Sequence, residues 1–528
     1  MTTRLPRAPG EREDGASDHA LVSARAIMVL GTASHVGKSL LTAALCRILS
    51  DDGHRVAPFK SQNMSLSSAA TPDGLEIGRA QALQAEAARV APDVRMNPIL
   101  LKPMGDAVSQ VVLLGRVHGV ARAAEYHLGR VVEYFPTVTR AYASLAAEHD
   151  IIVLEGAGSP AEINLKATDI ANLRMAEAAN ARCLLVGDID RGGVFASLLG
   201  TMELLDPPER ARIVAFAINK FRGDAALLAS GVAEIERRIG IPCAGVVPWL
   251  RDVGLEDEDG VGYDDAPRVR DRAWGRPRGA ARALRVAVVR LPLMSNPTDT
   301  DALAAEPSVD LAFADRPEDL AHADLVLVPG TKQTLEALAW LRETGFDRAL
   351  EAVATRAYVV GICGGMQVLG ERVRDPEGVE GGGDECGLAL LGARTTLVSE
   401  KIVRRVRVTP RPHALFGATE RVAANGYEIH MGRTILAPGV RAFADVEREG
   451  GTALEDGARS ADGRVVGTYV HGLFEDDVLR HAVLRALRAA RGLAPARAML
   501  PRAAEREARI DRLAAHVRAS LDLRAFLA

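Results

Sequence analysis

The sequence predicts an α/β protein of two domains, each with a mostly parallel sheet, and three observations support this fold class. The chain has 528 residues, more than one ordinary hydrophobic core accommodates. Short apolar runs typical of buried parallel strands alternate with helical patterns along most of it. Residues 251–283 are rich in charge, Pro and Gly, which predicts a linker that buries little. Domains are therefore expected at 26–250 and 284–480, with a disordered tail (1–25) and a C-terminal helical segment (481–528).

The composition is that of a cytoplasmic globular protein, with 48% hydrophobic and 25% charged residues. A net charge of −4 and an aromatic content of 4% argue against nucleic acid or anionic membrane as a partner. Five widely spaced cysteines without a Cys-x-x-Cys pair favour free thiols in a reducing compartment over disulfides or zinc. No stretch has the ~20 uncharged apolar residues of a membrane span, and residues 1–24 lack a signal-peptide core. A homo-oligomer is compatible with the sequence, which does not specify a number of subunits.

A phosphate-binding loop follows the first predicted strand. Residues 26–30 are apolar and lead into Gly31-Thr32-Ala33-Ser34-His35-Val36-Gly37-Lys38-Ser39, after which a helical pattern begins. Backbone N–H groups and the helix dipole would meet the phosphates, Lys38 would add positive charge, and Ser39 can hold Mg²⁺. An accidental glycine turn is the alternative. The strand before and the helix after favour a nucleotide site formed by Gly31, Thr32, Gly37, Lys38 and Ser39, in a loop one residue longer than the usual form.

Polar side chains end the later strands of this half. Four branched apolar residues, 151–154, lead to Glu155, as in strands that present a carboxylate to Mg²⁺ in phosphate-loop enzymes. With Ser39 this predicts a metal site, although Glu155 could instead cap a helix. Lys60 and Asn219 also follow apolar runs. Lys60 could reach a phosphate and Asn219 a nucleotide base, the alternatives being a solvated lysine and a turn-forming asparagine.

The second half contains a candidate nucleophile. An apolar run passes through Gly361-Ile362-Cys363-Gly364-Gly365 into a helical pattern, which is the form of a nucleophile elbow. The helix N-terminus would favour the thiolate. His471 ends a later apolar run, where it could take the thiol proton, although a lone histidine is more often structural. Backbone N–H groups at Gly330 and Gly364 are the candidate oxyanion donors.

These motifs resemble two known groups of domains. The stretch from Gly361 to Gln367, with Thr468-Tyr469-Val470-His471-Gly472, resembles class I glutamine amidotransferase domains of the subgroup attached to corrinoid biosynthesis. The first half resembles dethiobiotin synthetase-like ATPases, whose phosphate loop has the same longer spacing. The combination of an ATPase-like half followed by an amidotransferase-like half resembles the cobyric acid synthase family. Supporting stretches are residues 62–65, 96–103, 155–165, 188–195, 219–224 and 426–432.

The resemblance implies a ligase that amidates the b, d, e and g carboxylates of adenosylcobyrinic acid a,c-diamide to give adenosylcobyric acid. Each amidation would use one glutamine and one ATP, so the expected small-molecule partners are the corrinoid, glutamine and ATP, with Mg²⁺ as cofactor. Lys38, Ser39 and Glu155 would serve phosphorylation of the carboxylate, and Cys363 would release ammonia along a shielded route. The substrate contacts expected from the resemblance are Gln62, Asn63, Asn97, Glu162 and Asn164.

One position departs from the broader amidotransferase pattern. Many such domains orient the histidine with a glutamate two residues later, where this chain has Leu473. The orienting group is therefore unassigned, with Glu428 and Glu475 as weak candidates.

Two rival functions also remain open. One is the sibling enzyme that amidates positions a and c, and the other is a phosphate-loop switch or partitioning ATPase, which would have no use for Cys363.

Overall fold

The structure, a computed structural model, describes residues 24–527 except for 106, 127–130, 251–252, 256–266, 273, 275–282, 417–420, 449–450 and 497–498. Residues 1–23 of the predicted disordered tail lie outside the described residues. Its last two residues are described, and they belong to the first domain, because Ala24 is buried and Arg25 begins the first strand.

The first domain is built on a parallel sheet that carries the phosphate loop. Its strands are β1 (Arg25–Gly31), β2 (Val56–Phe59), β3 (Gln62–Met64), β4 (Ser68–Ala70), β5 (Glu76–Gly78), β6 (Ile99–Gly105), β7 (Val108–Leu113), β8 (Arg116–Arg122), β9 (Ile151–Glu155), β10 (Arg182–Asp188), β11 (Ile213–Phe221) and β12 (Cys243–Pro248). Its α-helices are α1 (Lys38–Asp51), α2 (Arg79–Ala87), α3 (Ala123–Glu125), α4 (Val131–Glu148), α5 (Leu173–Ala178), α6 (Val194–Leu204), α7 (Pro207–Arg210) and α8 (Ala229–Ile239). Among the described residues the main sheet has the order β12-β11-β10-β1-β9-β2 with every pair parallel. Its central strands are buried on both faces, which is why they appear in the sequence as unbroken apolar runs.

The second domain repeats this design. Its strands are β13 (Leu284–Val289), β14 (Met294–Ser295), β15 (Val309–Ala314), β16 (Leu325–Val328), β17 (Gly330–Thr331), β18 (Tyr358–Ile362), β19 (Arg372–Asp375), β20 (Gly383–Cys386), β21 (Ala393–Pro410), β22 (Ala424–Leu436), β23 (Ala444–Arg448), β24 (Leu454–Asp456), β25 (Ala458–Arg459), β26 (Val465–Thr468) and β27 (Val470–His471). The α-helices that follow α8 are α9 (Asp301–Ala304), α10 (Thr334–Thr344), α11 (Phe346–Ala354), α12 (Gly364–Leu369), α13 (Asp477–Ala490), α14 (Arg502–Ser520) and α15 (Arg524–Leu527). In the described part the main sheet has the order β15-β13-β16-β18-β26-β25, and β25 alone is antiparallel to its neighbour. The predicted fold class is thus confirmed. None of the described helices has the length and apolar character that a membrane crossing needs.

Each domain also carries a second sheet that the sequence analysis did not predict. Strands β3, β6, β7 and β8 form one on the first domain, and the long antiparallel pair of β21 and β22 is the centre of the other. Along these strands exposed residues alternate with more buried ones. The strands therefore lack the continuous apolar runs by which the strands of the main sheets were recognised.

The predicted linker is not wholly free of core residues. Val269 and Trp274 are buried in the core of the second domain, and the Trp274 indole N–H donates to Asp310 Oδ2 at 2.6 Å. The expectation of little burial was wrong at these positions, because one tryptophan among charged residues contributes more apolar area than its surroundings suggest. The remainder of 251–283 lies largely outside the described residues.

The C-terminal helical segment is divided between the domains. Helix α13 packs into the second domain. Helix α14 instead returns to the first domain, where Ile510, Leu513 and Val517 join the core under α1. Arg47 of α1, fully buried, pairs with Glu507 of α14 at 2.5 Å. The segment therefore contributes to the cores of both domains. The sequence analysis did not predict this, because the segment contains few distinctive motifs.

A buried ionic cluster joins the two domains. Glu76 of the first domain contacts Lys102 at 2.7 Å and Lys401 of β21 at 2.5 Å. Burial alone would raise the pKa of Glu76, but the two lysines hold it well below its usual range. Close by, Gln333 Nε2 donates to the carbonyl of Met104 at 2.7 Å. The interface between the domains thus contains buried ion pairs and interdomain hydrogen bonds.

Candidate active site

Cys363 lies on a strained turn between a strand and a helix. Strand β18 ends at Ile362, helix α12 begins at Gly364, and Cys363 between them has φ 52° and ψ −112°. A positive φ in a non-glycine residue costs free energy and persists only where packing enforces it. Here the turn is enforced by close contact, since a Cβ atom on Gly365 would lie 1.9 Å from the carbonyl oxygen of Val328. The predicted elbow geometry is present.

His471 faces Cys363 and is oriented by a residue that the sequence analysis missed. Its Nδ1 lies 2.7 Å from Asp299 Oδ2, and both side chains are almost fully buried. The thiol of Cys363 is close enough to the imidazole to raise its pKa, and the Cys363 Sγ donates to the carbonyl of Ile429 at 3.6 Å. Because Asp299 occupies Nδ1, Nε2 is the nitrogen available to the thiol. Burial lowers the pKa of His471, but Asp299 and Cys363 outweigh it and raise the pKa to about 10.

Asp299 therefore replaces both candidates for the orienting group. Glu428 is engaged by Arg448, at 3.0 Å, and Glu475 by Arg502, at 3.2 Å. Asp299 precedes His471 by 172 residues and comes from the turn after β14, where its Oδ1 also accepts the N–H of Gly472 at 2.8 Å. The available signal was the polar stretch Asn296-Pro297-Thr298-Asp299, close after a predicted strand.

Both glycines predicted as oxyanion donors lie beside this pair. A Cβ atom on Gly364 would be 2.8 Å from the backbone nitrogen of Thr331, and one on Gly330 would be 3.5 Å from His471 Cε1. The loop after β16 and the start of α12 are therefore packed against each other around the thiol. This arrangement can direct backbone N–H groups toward a developing oxyanion, and donation by Gly330 and Gly364 remains a prediction.

The phosphate loop has the conformation that the sequence predicts. Gly31 ends β1, and Thr32 N–H donates to the carbonyl of Val186 at 3.0 Å. Gly37 precedes α1 with φ 97°, a value suited to glycine. Lys38 Nζ donates to the carbonyl of Ala33 in this loop at 3.0 Å and to that of Gly158, in the loop after β9, at 3.1 Å, so the ammonium lies between the two loops. Asn219 holds the loop in place, because its Nδ2 donates to the Val36 carbonyl at 2.8 Å, and its contact with a nucleotide base stays a prediction.

Glu155 is the centre of a buried polar group at the mouth of this loop. Its Oε1 accepts from Ser39 Oγ at 2.8 Å and from Lys60 Nζ at 3.0 Å, and its Oε2 accepts from Gln84 Nε2 at 2.6 Å. The structure thus brings together Ser39, Glu155 and Lys60, and Lys60 pairs with the carboxylate. Gln84 had not been predicted, since a glutamine inside a helical pattern has no distinguishing signal.

The donors at Ser39 and Glu155 fit a magnesium ion. A hydroxyl and a carboxylate are hard oxygen ligands, and Mg²⁺ usually takes one or two of these and completes its shell with waters and substrate phosphates. The described residues contain no group of three His, Cys, Asp or Glu side chains that could hold a metal alone. A metal at this position would therefore depend on nucleotide phosphates, as in other phosphate-loop sites.

Two predicted substrate contacts have structural roles. Asn97 is 1% exposed, and its carboxamide accepts from the N–H of Gly78 and donates to the carbonyls of Lys60 and Ile99. Asn63 is 2% exposed and donates to a glutamine of α2 at 2.9 Å. The prediction that Asn97 and Asn63 contact substrate is therefore not supported, because their amide groups serve to hold the strand-end loops in place.

The other three predicted contacts are placed differently. Gln62 is half-buried, and its Oε1 accepts from the Tyr126 hydroxyl at 2.6 Å. Glu162 and Asn164 are exposed on the loop that follows β9 and Glu155. This loop begins beside the phosphate site, and contact of Glu162 and Asn164 with a substrate stays a prediction.

Comparison with known proteins agrees with both halves of this description. Residues 27–261 match the family of CobQ/CobB/MinD/ParA nucleotide binding domains, and residues 285–478 match that of CobB/CobQ-like glutamine amidotransferase domains. The cobyric acid synthase of Sorangium cellulosum is 51% identical over 516 residues, which are 95% of this chain and 98% of that protein. That of Moorella thermoacetica is 49% identical over 504 residues, covering 95% and 96%. That of Salmonella heidelberg is 48% identical over 507 residues, covering 94% and 97%.

Proposed function

The chain belongs to the cobyric acid synthase family of glutamine-dependent amidoligases, and we propose on this premise that it amidates the b, d, e and g carboxylates of adenosylcobyrinic acid a,c-diamide. The observation that carries the proposal is the presence of two complementary sites in one chain. One is the buried Cys363–His471–Asp299 triad, which suits release of ammonia from an amide. The other is the loop of Lys38 and Ser39 beside Glu155, which suits transfer of a phosphoryl group.

In the second domain, glutamine would be hydrolysed through a thioester. His471 Nε2 takes the proton of Cys363, and the sulfur attacks the side-chain carbonyl carbon of glutamine. Asp299 holds the imidazole in the required tautomer and stabilises the imidazolium that forms. Backbone N–H groups at Gly364 and the Gly330 loop would stabilise the oxyanion. His471 then protonates the departing ammonia, and water cleaves the glutamyl thioester to glutamate.

In the first domain, a corrinoid carboxylate would be converted into an acyl phosphate. A carboxylate is a poor acyl donor, and the γ-phosphoryl group of ATP supplies the leaving group that it lacks. The loop N–H groups and Lys38 hold the phosphates. Mg²⁺ held by Ser39 and Glu155 would offset phosphate charge. Ammonia then attacks the acyl carbon and phosphate leaves, so that each amide costs one glutamine, one ATP and one water and yields glutamate, ADP and phosphate.

We expect the reaction to take place in the cytoplasm, where ATP and glutamine are available. All five cysteines are free thiols, as a reducing compartment requires. Because ammonia is mostly protonated at neutral pH and ammonium is not a nucleophile, we expect its transfer between the sites to be shielded from solvent.

The experiment that tests this proposal follows labelled nitrogen. The purified chain is given the a,c-diamide, ATP, Mg²⁺ and glutamine labelled with ¹⁵N in its amide, and the corrinoid is analysed by mass spectrometry. Four labelled amides are expected. A parallel reaction with cobyrinic acid as the corrinoid would establish the sibling activity if only positions a and c were amidated. ATP hydrolysis without transfer in either reaction would establish a switch ATPase.

The role of Cys363 is tested in the same assay. Cys363→Ser should abolish glutamine-dependent amidation and retain amidation from ammonium salts. Cys386→Ser is the matched control, since Cys386 is an exposed free thiol of the same domain. Loss of both nitrogen sources in Cys363→Ser would remove this residue from the supply of ammonia.

A further inference from the structure

The imidazole of His471 has a neighbour that the mechanism above does not use. Tyr427 on β22 lies directly opposite His471 on β27. The two rings are stacked, with centroids 5.3 Å apart and planes inclined by 18°. Asp299 controls the Nδ1 end of the imidazole, whereas the face of the ring rests on Tyr427. The position of Tyr427 therefore helps to define where Nε2 points.

Tyr427 is in turn held by a residue of the first domain. Arg79, the first residue of α2, donates a hydrogen bond to the Tyr427 hydroxyl, and its guanidinium carbon lies 5.2 Å from the ring centroid. The same guanidinium donates to the carbonyl of Ser68 at 3.2 Å, which fixes it to its own domain. A hydrogen bond combined with a cation near the ring makes this a directional contact. The nucleotide-binding domain thus supports the residue against which the catalytic histidine packs.

The same helix also contacts the phosphate site. Gln84, five residues after Arg79, donates to Glu155 Oε2 at 2.6 Å and to the carbonyl of Ser39 at 3.3 Å. Five residues of α-helix advance about 7.5 Å along the axis. Helix α2 has nine residues, from Arg79 to Ala87, and its backbone hydrogen bonds tie consecutive turns together. A shift of Gln84 with Glu155 or Ser39 would therefore be passed on to Arg79.

We propose that Arg79 is a positioning residue for His471, acting through Tyr427, and that helix α2 makes glutamine hydrolysis respond to occupancy of the nucleotide site. Binding of nucleotide phosphates at Ser39 changes the hydrogen bonds of Glu155, and Gln84 follows this carboxylate. The consequence is that ammonia is released mainly when the first domain is ready to use it. This inference rests on the proposed hydrolysis of glutamine at Cys363.

The test measures glutamate release with and without a non-hydrolysable ATP analogue and Mg²⁺. The wild-type rate should rise on addition of the analogue. Arg79→Ala should bring the ratio of the two rates close to one and lower the stimulated kcat on the order of ten-fold, with the KM for glutamine unchanged, as expected from a small misplacement of a catalytic group. Arg79→Lys should restore part of the ratio. Amidation from ammonium salts should be retained, because Gln84 keeps its own hydrogen bonds to Glu155 and Ser39 when the Arg79 side chain is removed.

Two further variants separate positioning from general loosening of the interface. Gln110→Ala is the control, since Gln110 also crosses the interface but away from Tyr427, donating to Met431 Sδ at 3.5 Å. It should keep the wild-type ratio. Tyr427→Phe retains the ring stacked on His471 and removes the hydroxyl that Arg79 holds, so its ratio should fall in the same direction as that of Arg79→Ala.

Several outcomes would overturn the inference. These are a wild-type ratio of one, an unchanged ratio in Arg79→Ala, or an equal loss in Gln110→Ala. If Arg79→Ala also loses amidation from ammonium, its fold is impaired, and the ratio in Tyr427→Phe decides instead. Glutamate release that does not depend on Cys363 would defeat the proposed function itself, whereas normal Cys363-dependent release with an unchanged ratio defeats only the coupling.

Discussion

Replacing Asp299 by asparagine is the sharpest perturbation of the candidate triad. Asparagine has nearly the shape of aspartate but no charge, and its amide can present N–H in place of an acceptor to His471 Nδ1. The imidazole then loses the partner that fixes its tautomer and stabilises the imidazolium. The thiol of Cys363 would no longer meet a well-oriented base. Glutamine hydrolysis should fall, while binding of glutamine is little affected.

The size of the effect follows from the burial of the pair. Asp299 Oδ2 and His471 Nδ1 are 2.7 Å apart, and their side chains are 2% and 1% exposed. Removing one partner of such a buried charged pair costs about 3–5 kcal/mol. If this free energy is lost in the transition state, kcat should decrease by about 10² to 10⁴, because each factor of ten in rate corresponds to about 1.36 kcal/mol.

The assay is glutamate release, with ammonium-supported amidation as a measure of the first domain. Asp299→Asn should lose the former and keep the latter. Glu475→Gln is the matched control, because Glu475 lies four residues after His471 and pairs with Arg502 instead. A decrease in kcat of less than about three-fold, or an equal decrease in Glu475→Gln, would refute the role assigned to Asp299.

The same variant changes the pH dependence of stability. The pKa of folded His471, about 10, lies above the ~6.5 of a free imidazole. The pair therefore contributes its full stability below about pH 6.5 and loses it as the pH rises through about 10. The difference in Tm between wild type and Asp299→Asn should be greatest near pH 6 and shrink toward pH 10, and a difference that grows with pH would contradict the assignment.

Three other variants test the remaining structure. Lys38→Ala should lower the rate of amidation from both glutamine and ammonium by about 10²-fold or more, while glutamine hydrolysis without ATP persists. Survival of the ammonium reaction would remove Lys38 from the phosphate site. Gly365→Ala forces a Cβ atom against the backbone of the neighbouring strand and should lower the free energy of unfolding, measured by denaturant titration, by about 3 kcal/mol. Gly200→Ala is the control, since Gly200 lies in open space within α6, and it should be neutral or slightly stabilising. Glu76→Gln leaves two buried lysines unpaired and should cost about 3–5 kcal/mol, part of which the additional change Lys401→Met should recover in thermal unfolding.

The features that the sequence predicted are those encoded in contiguous residues. The elbow at Cys363 and the loop at Lys38 each combine a strand, a glycine turn and a helix start within one short stretch, so local rules suffice. Asp299 could not be found in this way, because its contact with His471 spans 172 residues. The backbone contacts of Asn97 could not be predicted, because an asparagine at a strand end can turn its amide to a ligand or to the backbone, and the sequence does not distinguish the two.

The return of α14 to the first domain has a consequence for how the protein is made. Ile510, Leu513 and Val517 cover apolar residues of α1, which leaves the ribosome some 460 residues earlier. At synthesis rates of about 5–20 residues per second, that face of α1 waits on the order of 20–90 s for its cover. The domain that is translated first is thus completed last, and a chain cut after the amidotransferase domain would lack the helix that closes its nucleotide-binding domain.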